Sequence, residues 1–208
     1  MTNNNNTIRN LARFLLRPGI LVLGLVIICT GCLSAKHYVD PTFHDANYLS
    51  IKTPDSPRPI VVIATFQVNG KPKKEADPIV FRKVTKVLAA TRIFIEATNA
   101  QTNQAARLEI VVNNIADIGS AEGKGFGTGL TLGLAGSEIV DRYEMTAIYT
   151  PAGGLPIKKI YKHAIYSTIG AHSAPAGMEP VSIEDAFDQV VEDMLLNFLR
   201  DLQKNGDL

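Results

Sequence analysis

From residue 60 onward the apolar and polar positions fall into segments whose period alternates between two and about three and a half. Ile60-Val61-Val62-Ile63-Ala64-Thr65-Phe66 is a run dominated by β-branched residues, and Val68-Asn69-Gly70 follows it. The pattern predicts a buried strand closed by a turn. Asp77-Pro78 reads as an N-cap followed by proline at the first helical position. Ile79, Phe81, Val84, Leu88 and Thr91 then recur at helical spacing, with Arg82, Lys83 and Lys86 elsewhere on the wheel. A helix from Pro78 to about Arg92 is expected, with that stripe inward.

Ile93–Ala97 reads as a short strand and Ala106–Asn113 as a longer one, with polar Asn99–Gln104 between them. Tyr143–Thr150 and Ile157–Ile169 flank Pro151-Ala152-Gly153-Gly154 and predict a hairpin. Ser182, with Glu184 and Asp185 behind it, caps a final helix whose stripe is Ile183, Phe187, Val190, Val191, Met194, Leu195, Phe198 and Leu202. The order strand, helix, several strands, helix implies an α+β domain: a mostly antiparallel sheet with two helices on one face. This element order is similar to that of the curli-secretion channel lipoprotein and of the amino-terminal domain of the Tol-system propeller protein. That similarity assigns no residue.

The first 31 residues contain Arg9, Arg13 and Arg17 and no Asp or Glu, and Gly19–Ile28 is uncharged. A spanning helix needs about 20 apolar residues and a secretory core only about 7–15, so this stretch has signal-peptide length. It ends in Cys29-Thr30-Gly31-Cys32. The small-small-Cys ending resembles the lipobox of bacterial lipoproteins, with Cys29 where an aliphatic residue is usual. The resemblance implies cleavage between Gly31 and Cys32, acylation of Cys32 and an anchor in membrane lipid. Leu33 stands where an Asp would mark retention in the inner membrane, which implies the outer membrane with the domain facing the periplasm. The mature chain would then hold no free thiol, which removes cysteine catalysis and cysteine metal sites. Residues 32–59 are polar, with prolines at 41, 54, 57 and 59, and read as a tether of up to ~80 Å at ~3.3 Å per residue, unless Tyr38-Val39 and Tyr48–Ile51 dock on the domain. The expected organisation is therefore a signal peptide over 1–31, tether over 32–59 and one domain over 60–208.

Within that domain, residues 119–137 stand apart. Seven of the eighteen positions from 119 to 136 are glycine, and Gly125–Ser137 carries no charge. Phe126, Thr128, Leu130, Leu132 and Leu134 alternate with Gly125, Gly127, Gly129, Thr131, Gly133 and Ala135. As a strand, this gives one large apolar face and one nearly bare face that admits a neighbouring backbone. As a helix, Gly125, Gly129 and Gly133 form a small-residue stripe. Thirteen helical residues span about 20 Å, short of the ~30 Å bilayer core, whereas a tilted strand of this length would cross. Spanning by strands would need several copies to close a barrel. Phe126, Gly129, Leu130, Leu132 and Leu134 are thus candidates for membrane or partner contact. No phosphate-loop pattern occurs here.

Chemistry is sparse elsewhere. His37, His44, His163 and His172 show no metal-ligand spacing, and His163 reads as a partly exposed strand residue. Ser137 lacks a nucleophile-elbow context. Glu138 and Asp141 would share a face on a helix, as an acid–base pair needs, and would part on a strand. Tyr161 and Tyr166 are the aromatic candidates for a stacking surface, though such residues usually form cross-strand pairs. With 21 Lys+Arg against 20 Asp+Glu, nucleic acid is not an expected partner. No cofactor or metal is expected. The reading that gathers most of these features is a non-enzymatic outer-membrane lipoprotein, an accessory or scaffold component of an envelope assembly with a protein partner. The alternatives are a subunit of a homo-oligomeric channel inserting Gly125–Ala135, and a periplasmic hydrolase using Glu138 and Asp141.

Overall fold

The computed structural model describes residues 35–43, 46–98, 105–115, 137–169 and 173–208. In chain order these form β1 (Ala35–Val39), β2 (Arg58–Val68), β3 (Lys71–Pro72), α1 (Asp77–Thr91), β4 (Phe94–Thr98), β5 (Ala106–Ile115), β6 (Ser137–Thr150), β7 (Ile157–Ile169) and α2 (Ile183–Asn205). The strands make one sheet in the order β1-β7-β6-β5-β2-β3, with β4 also pairing β2. The β2–β5 and β2–β4 pairs are parallel because α1 intervenes and returns the chain to its starting end, whereas all other pairs are antiparallel. Asn69 and Gly70 hold φ of 49° and 74°, the left-handed pair that lets a two-residue turn match strand twist, and so reverse β2 into β3.

The expected α+β architecture is present, with both helices on one face. Alternation decides which side chains meet them: Ile60, Val62 and Ala64 of β2, Leu108, Ile110 and Val112 of β5, Met145 and Ala147 of β6 and Ile165 of β7 are buried against Val80, Val84 and Leu88 of α1 and Val190, Met194, Leu195 and Phe198 of α2. The opposite face is mixed, with Tyr38 and Val61 buried on it beside polar side chains. It carries the ion pairs Arg107–Glu109 at 3.0 Å and Glu144–Lys162 at 3.6 Å.

Local readings shift where tertiary contacts compete. Asp77 is the first residue of α1 rather than its cap, because its carboxylate accepts the Phe66 N–H at 2.8 Å and pins the helix to β2. The buried stripe of α1 runs through Val80, Val84, Val87, Leu88 and Thr91, leaving Ile79 42% exposed. Ser182 caps α2 as expected, accepting from Asp185 N at 3.0 Å. The helix is buried on a broader arc than one sheet requires, and Ala186, Leu196 and Leu199 join the expected stripe.

The extra coverage comes from residues assigned to the tether, and this moves the domain boundary. Ala35–Val39 pairs antiparallel with β7, from Ala35 opposite Ile169 to Val39 opposite Ile165. Val39, Ala46 and Ile51 are buried in the core cluster with the helices, and Tyr38, on the other face of β1 opposite Tyr166, is 1% exposed. Beyond β1 the chain runs along α2: Asn197 Nδ2 donates to Phe43 O at 3.3 Å, and Lys52 N donates to Gln203 Oε1 at 2.9 Å. The domain therefore begins at Ala35, not at residue 60. Polar composition implied a tether, with docking of Tyr38-Val39 and Tyr48–Ile51 as the alternative; edge-strand pairing and packing on α2 hold this segment to the body.

Candidate functional site

Two places in this fold concentrate features that a function could use, and they lie at opposite ends of the sheet. At one end, Ser137 at the start of β6 pairs with Ile169 at the end of β7, which pairs with Ala35 at the start of β1. Adjacent strands lie ~4.8 Å apart, so Ala35 and Ser137 stand about 10 Å from each other. The sequence candidates Gly31, Cys32, Phe126, Gly129, Leu130, Leu132 and Leu134 lie outside the described residues. Ile115, the last residue of β5, pairs with Arg142, five residues along β6 from Ser137. Among the described residues no helix is long and apolar enough to cross a membrane.

The first turns of the two helices lie level with the middle of β6. Phe66, Ala76, Ile79, Val80, Tyr143, Ile183 and Phe187 line a groove of about 270 Å³. Phe187 is packed between Phe66, at 5.9 Å between ring centroids, and Tyr143, at 5.5 Å. Lys83 Nζ lies 5.5 Å from the centroid of the Phe187 ring and pairs with Asp188. Burial raises the Tyr143 phenol above its ordinary value, and the Asp141 charge adds to that.

The opposite end holds a larger cavity of about 570 Å³ where β2, β4 and β5 start and α2 ends. Ile93, Phe94, Ala106 and Tyr149 form its apolar side, and Lys52, Arg58 and Asp207 contribute charges of both signs. Gln203 is already engaged with the Lys52 backbone. Nothing in this lining sets a nucleophile against a base.

The acid–base pair is not assembled. Glu138 and Asp141 both lie within β6, which runs unbroken from Ser137, so their odd separation places them on opposite faces. Tyr161 and Tyr166 likewise point to opposite faces of β7 and form no joint platform. The Tyr161 hydroxyl donates to Asp201 Oδ2 at 2.7 Å, and the Tyr166 hydroxyl to Asp40 Oδ2 at 3.3 Å. Burial, then the hydrogen bond to Asp201, pushes the Tyr161 phenol upward. For Asp40, burial pushes the carboxyl upward, but hydrogen bonds from Thr42 and Tyr166 outweigh it and hold the group below its ordinary value.

His163 departs from the sequence reading: it is buried at 5% exposure, not partly exposed. Its Nδ1 accepts from Ala164 N at 2.9 Å, which leaves the proton on Nε2, facing Asp193 Oδ2 at 3.2 Å. The Phe43 ring lies over it at 5.2 Å between centroids. This pair bridges β7 to α2 beneath the docked amino-terminal segment, a structural placement. The sequence also did not bring together His37 and Ser167, whose Nδ1 and Oγ are 2.8 Å apart across β1 and β7. Such a contact could activate a serine only with a group orienting the imidazole and donors for an oxyanion. Neither is formed by the hydrogen bonds of the described residues. No group of three or more His, Cys, Asp or Glu among those residues could hold a metal ion.

Comparison with known proteins adds loose likenesses only. No family model and no curated protein matches the chain. Among solved structures, a minor lipoprotein from Acinetobacter baumannii is similar at 12% identity over 71% of this chain and 94% of that one, with a TM-score of 0.35. A PelC dodecamer from Paraburkholderia phytofirmans is similar at 9% identity over 81% and 98%, TM-score 0.34. The rare lipoprotein B from Shewanella oneidensis is similar at 13% identity over 69% and 93%, TM-score 0.28. At this level the likeness assigns neither residue nor role.

Proposed function

We propose that this chain is a non-enzymatic lipoprotein, anchored in the outer membrane through acylated Cys32 and serving as an accessory or scaffold component of an envelope assembly. What supports the reading is the short sequence spacing between the lipobox and the first strand. Cys32 lies three residues before Ala35, the first residue of a strand paired into the sheet. At ~3.3 Å per residue three residues reach at most about 10 Å, so acylation would tether the domain closely to the bilayer. Separation of Glu138 from Asp141 removes the support that the hydrolase alternative had.

Cys32→Ser tests the anchor, because serine cannot form the thioether. Intact mass and membrane fractionation should show an unacylated, full-length precursor. A processed product beginning elsewhere, or unchanged partition into the outer membrane, would overturn the lipobox assignment.

A second reading, a channel subunit whose Gly125–Ala135 segment enters the membrane after oligomerisation, draws support from one feature. Ser137, which follows the segment, is level with Ala35 across β7, and Ile115, which precedes it, ends β5 five residues further along β6. The size of the complex after mild detergent extraction separates the two: a stable ring supports the channel, and a monomer that needs another protein supports the scaffold.

A further inference from the structure

The outer edge of β2 is covered at both ends and bare between them. Among the described residues β4 pairs with Arg58–Val61 and β3 with Gln67 and Val68, so Val62–Thr65 have a strand neighbour, β5, on one side only. Which backbone groups face the bare side follows from Phe66. Its N–H donates to Asp77 Oδ1 at 2.8 Å and its C=O accepts from Lys73 N at 2.9 Å, both on the side away from β5. Backbone groups alternate sides along a strand, so the N–H and C=O of Ala64 face that side too. No strand, turn or side chain among the described residues supplies them a hydrogen-bond partner, although Ala64 is only 7% exposed. Backbone groups so enclosed are normally paired. Pro78, Phe81 and Arg82 of α1 form the other wall of an open groove of about 460 Å³ along this stretch.

We propose that this groove takes a short, extended, acidic peptide segment of a partner protein, which adds to β2 through the N–H and C=O of Ala64 and lays a side chain against Pro78 and Phe81. The proposal rests on the scaffold reading, to which it gives a contact surface, and does not need the lipid anchor. Backbone pairing, length and charge select the occupant. An unpaired strand edge offers donors and acceptors in a pattern that another extended backbone matches. The bare stretch of four residues is about 13 Å long at ~3.3 Å each, and β3 and β4 occupy the adjacent track at its two ends. The 11-residue β2 of a second copy would run into them, so a short segment fits where a strand-to-strand dimer does not. Arg82 on the groove wall, Lys86 one turn further along the same flank of α1, and Lys73 and Lys74 beyond Phe66 are exposed cations. Among the described acidic side chains beside them, Asp77 is engaged by the Phe66 N–H, which leaves Glu75 against four positive charges. Carboxylates on the incoming peptide therefore meet complementary charge.

Full-length protein, immobilised in mild detergent, would be panned against phage-displayed random heptapeptides, and a selected peptide then titrated by fluorescence anisotropy. Selected sequences should carry Asp or Glu beside β-branched residues. Methylating alternate backbone nitrogens of the peptide should abolish binding, because it removes the donors of the ladder. Arg82→Glu, a change at an exposed side chain, should weaken binding about tenfold or more, whereas Lys158→Glu on β7, the same change of charge outside the groove, should alter it less than about twofold. Ala64→Pro deletes the N–H on the bare side and should also abolish binding; its thermal melt reports whether the fold persists, and Arg82→Glu with the methylated peptide decides the matter if it does not. No enrichment over the empty support, or peptides indifferent to both Arg82→Glu and backbone methylation, would overturn the proposal. A defined complex that survives detergent extraction unchanged in Arg82→Glu protein would leave the scaffold reading standing without this surface. A dimer that dissociates in that variant would make a second copy the occupant and overturn the peptide.

Discussion

Replacing Tyr38 with alanine separates a docked amino-terminal segment from a free tether more sharply than any other single change. Tyr38 lies on β1 opposite Tyr166 of β7 and is 1% exposed, among the largest fully buried side chains of the described residues. Truncating a buried aromatic side chain to alanine costs about 3–5 kcal/mol, the lost transfer energy plus the cavity left behind. Against a domain stability of about 5–15 kcal/mol, that is a fifth or more of the total. At about 2–4 °C per kcal/mol for a domain of this size, the melting temperature should fall by about 6–20 °C. Urea unfolding gives the more direct measurement, since the midpoint should drop with the slope unchanged if β1 remains paired. Leu49→Ala is the matched control: it lies in the same stretch, is 97% exposed, and should change stability by less than about 0.5 kcal/mol. If Tyr38→Ala behaves like that control, β1 contributes nothing to the fold. The boundary then returns to residue 60, and the reach of the anchor returns to ~80 Å.

Leu195→Ala, at a position with 0% exposure between α2 and the sheet, should cost about 2–5 kcal/mol in chemical denaturation, whereas a change within error would show that the stripe does not pack there. Asp40→Asn tests the lowered carboxyl: a group held below its ordinary 3.8 contributes stability above that pH and loses it as pH falls through the folded value. The variant should therefore lose some stability at neutral pH and unfold less steeply in acid below about pH 4, measured as melting temperature against pH. Leu132→Asp should block assembly more severely than Gly129→Val, read as complex size after detergent extraction. Wild-type assembly and function in both would remove the glycine segment as a contact surface.

The sequence by itself determined the elements whose signal is local. A β-branched run, a turn with positive φ at Asn69 and Gly70, a proline in the first turn of α1, a serine cap and a long apolar stripe each act within a few residues. β2, α1, β7 and α2 accordingly lie where periodicity places them, and their order specifies the α+β class. Only tertiary structure decided the rest, because the deciding contacts are far apart in sequence. His37 and Ser167, 130 residues apart, meet because β1 adds to the edge of β7, and no local period signals which edge a five-residue strand of mixed composition will find. The same holds for His163, whose partner Asp193 comes from α2, 30 residues on. It holds for Ile79 and Ile183, which have correct helical spacing yet are 42% and 48% exposed. A period fixes which face of an element is apolar, and the lengths and register of its neighbours fix how much of that face is covered.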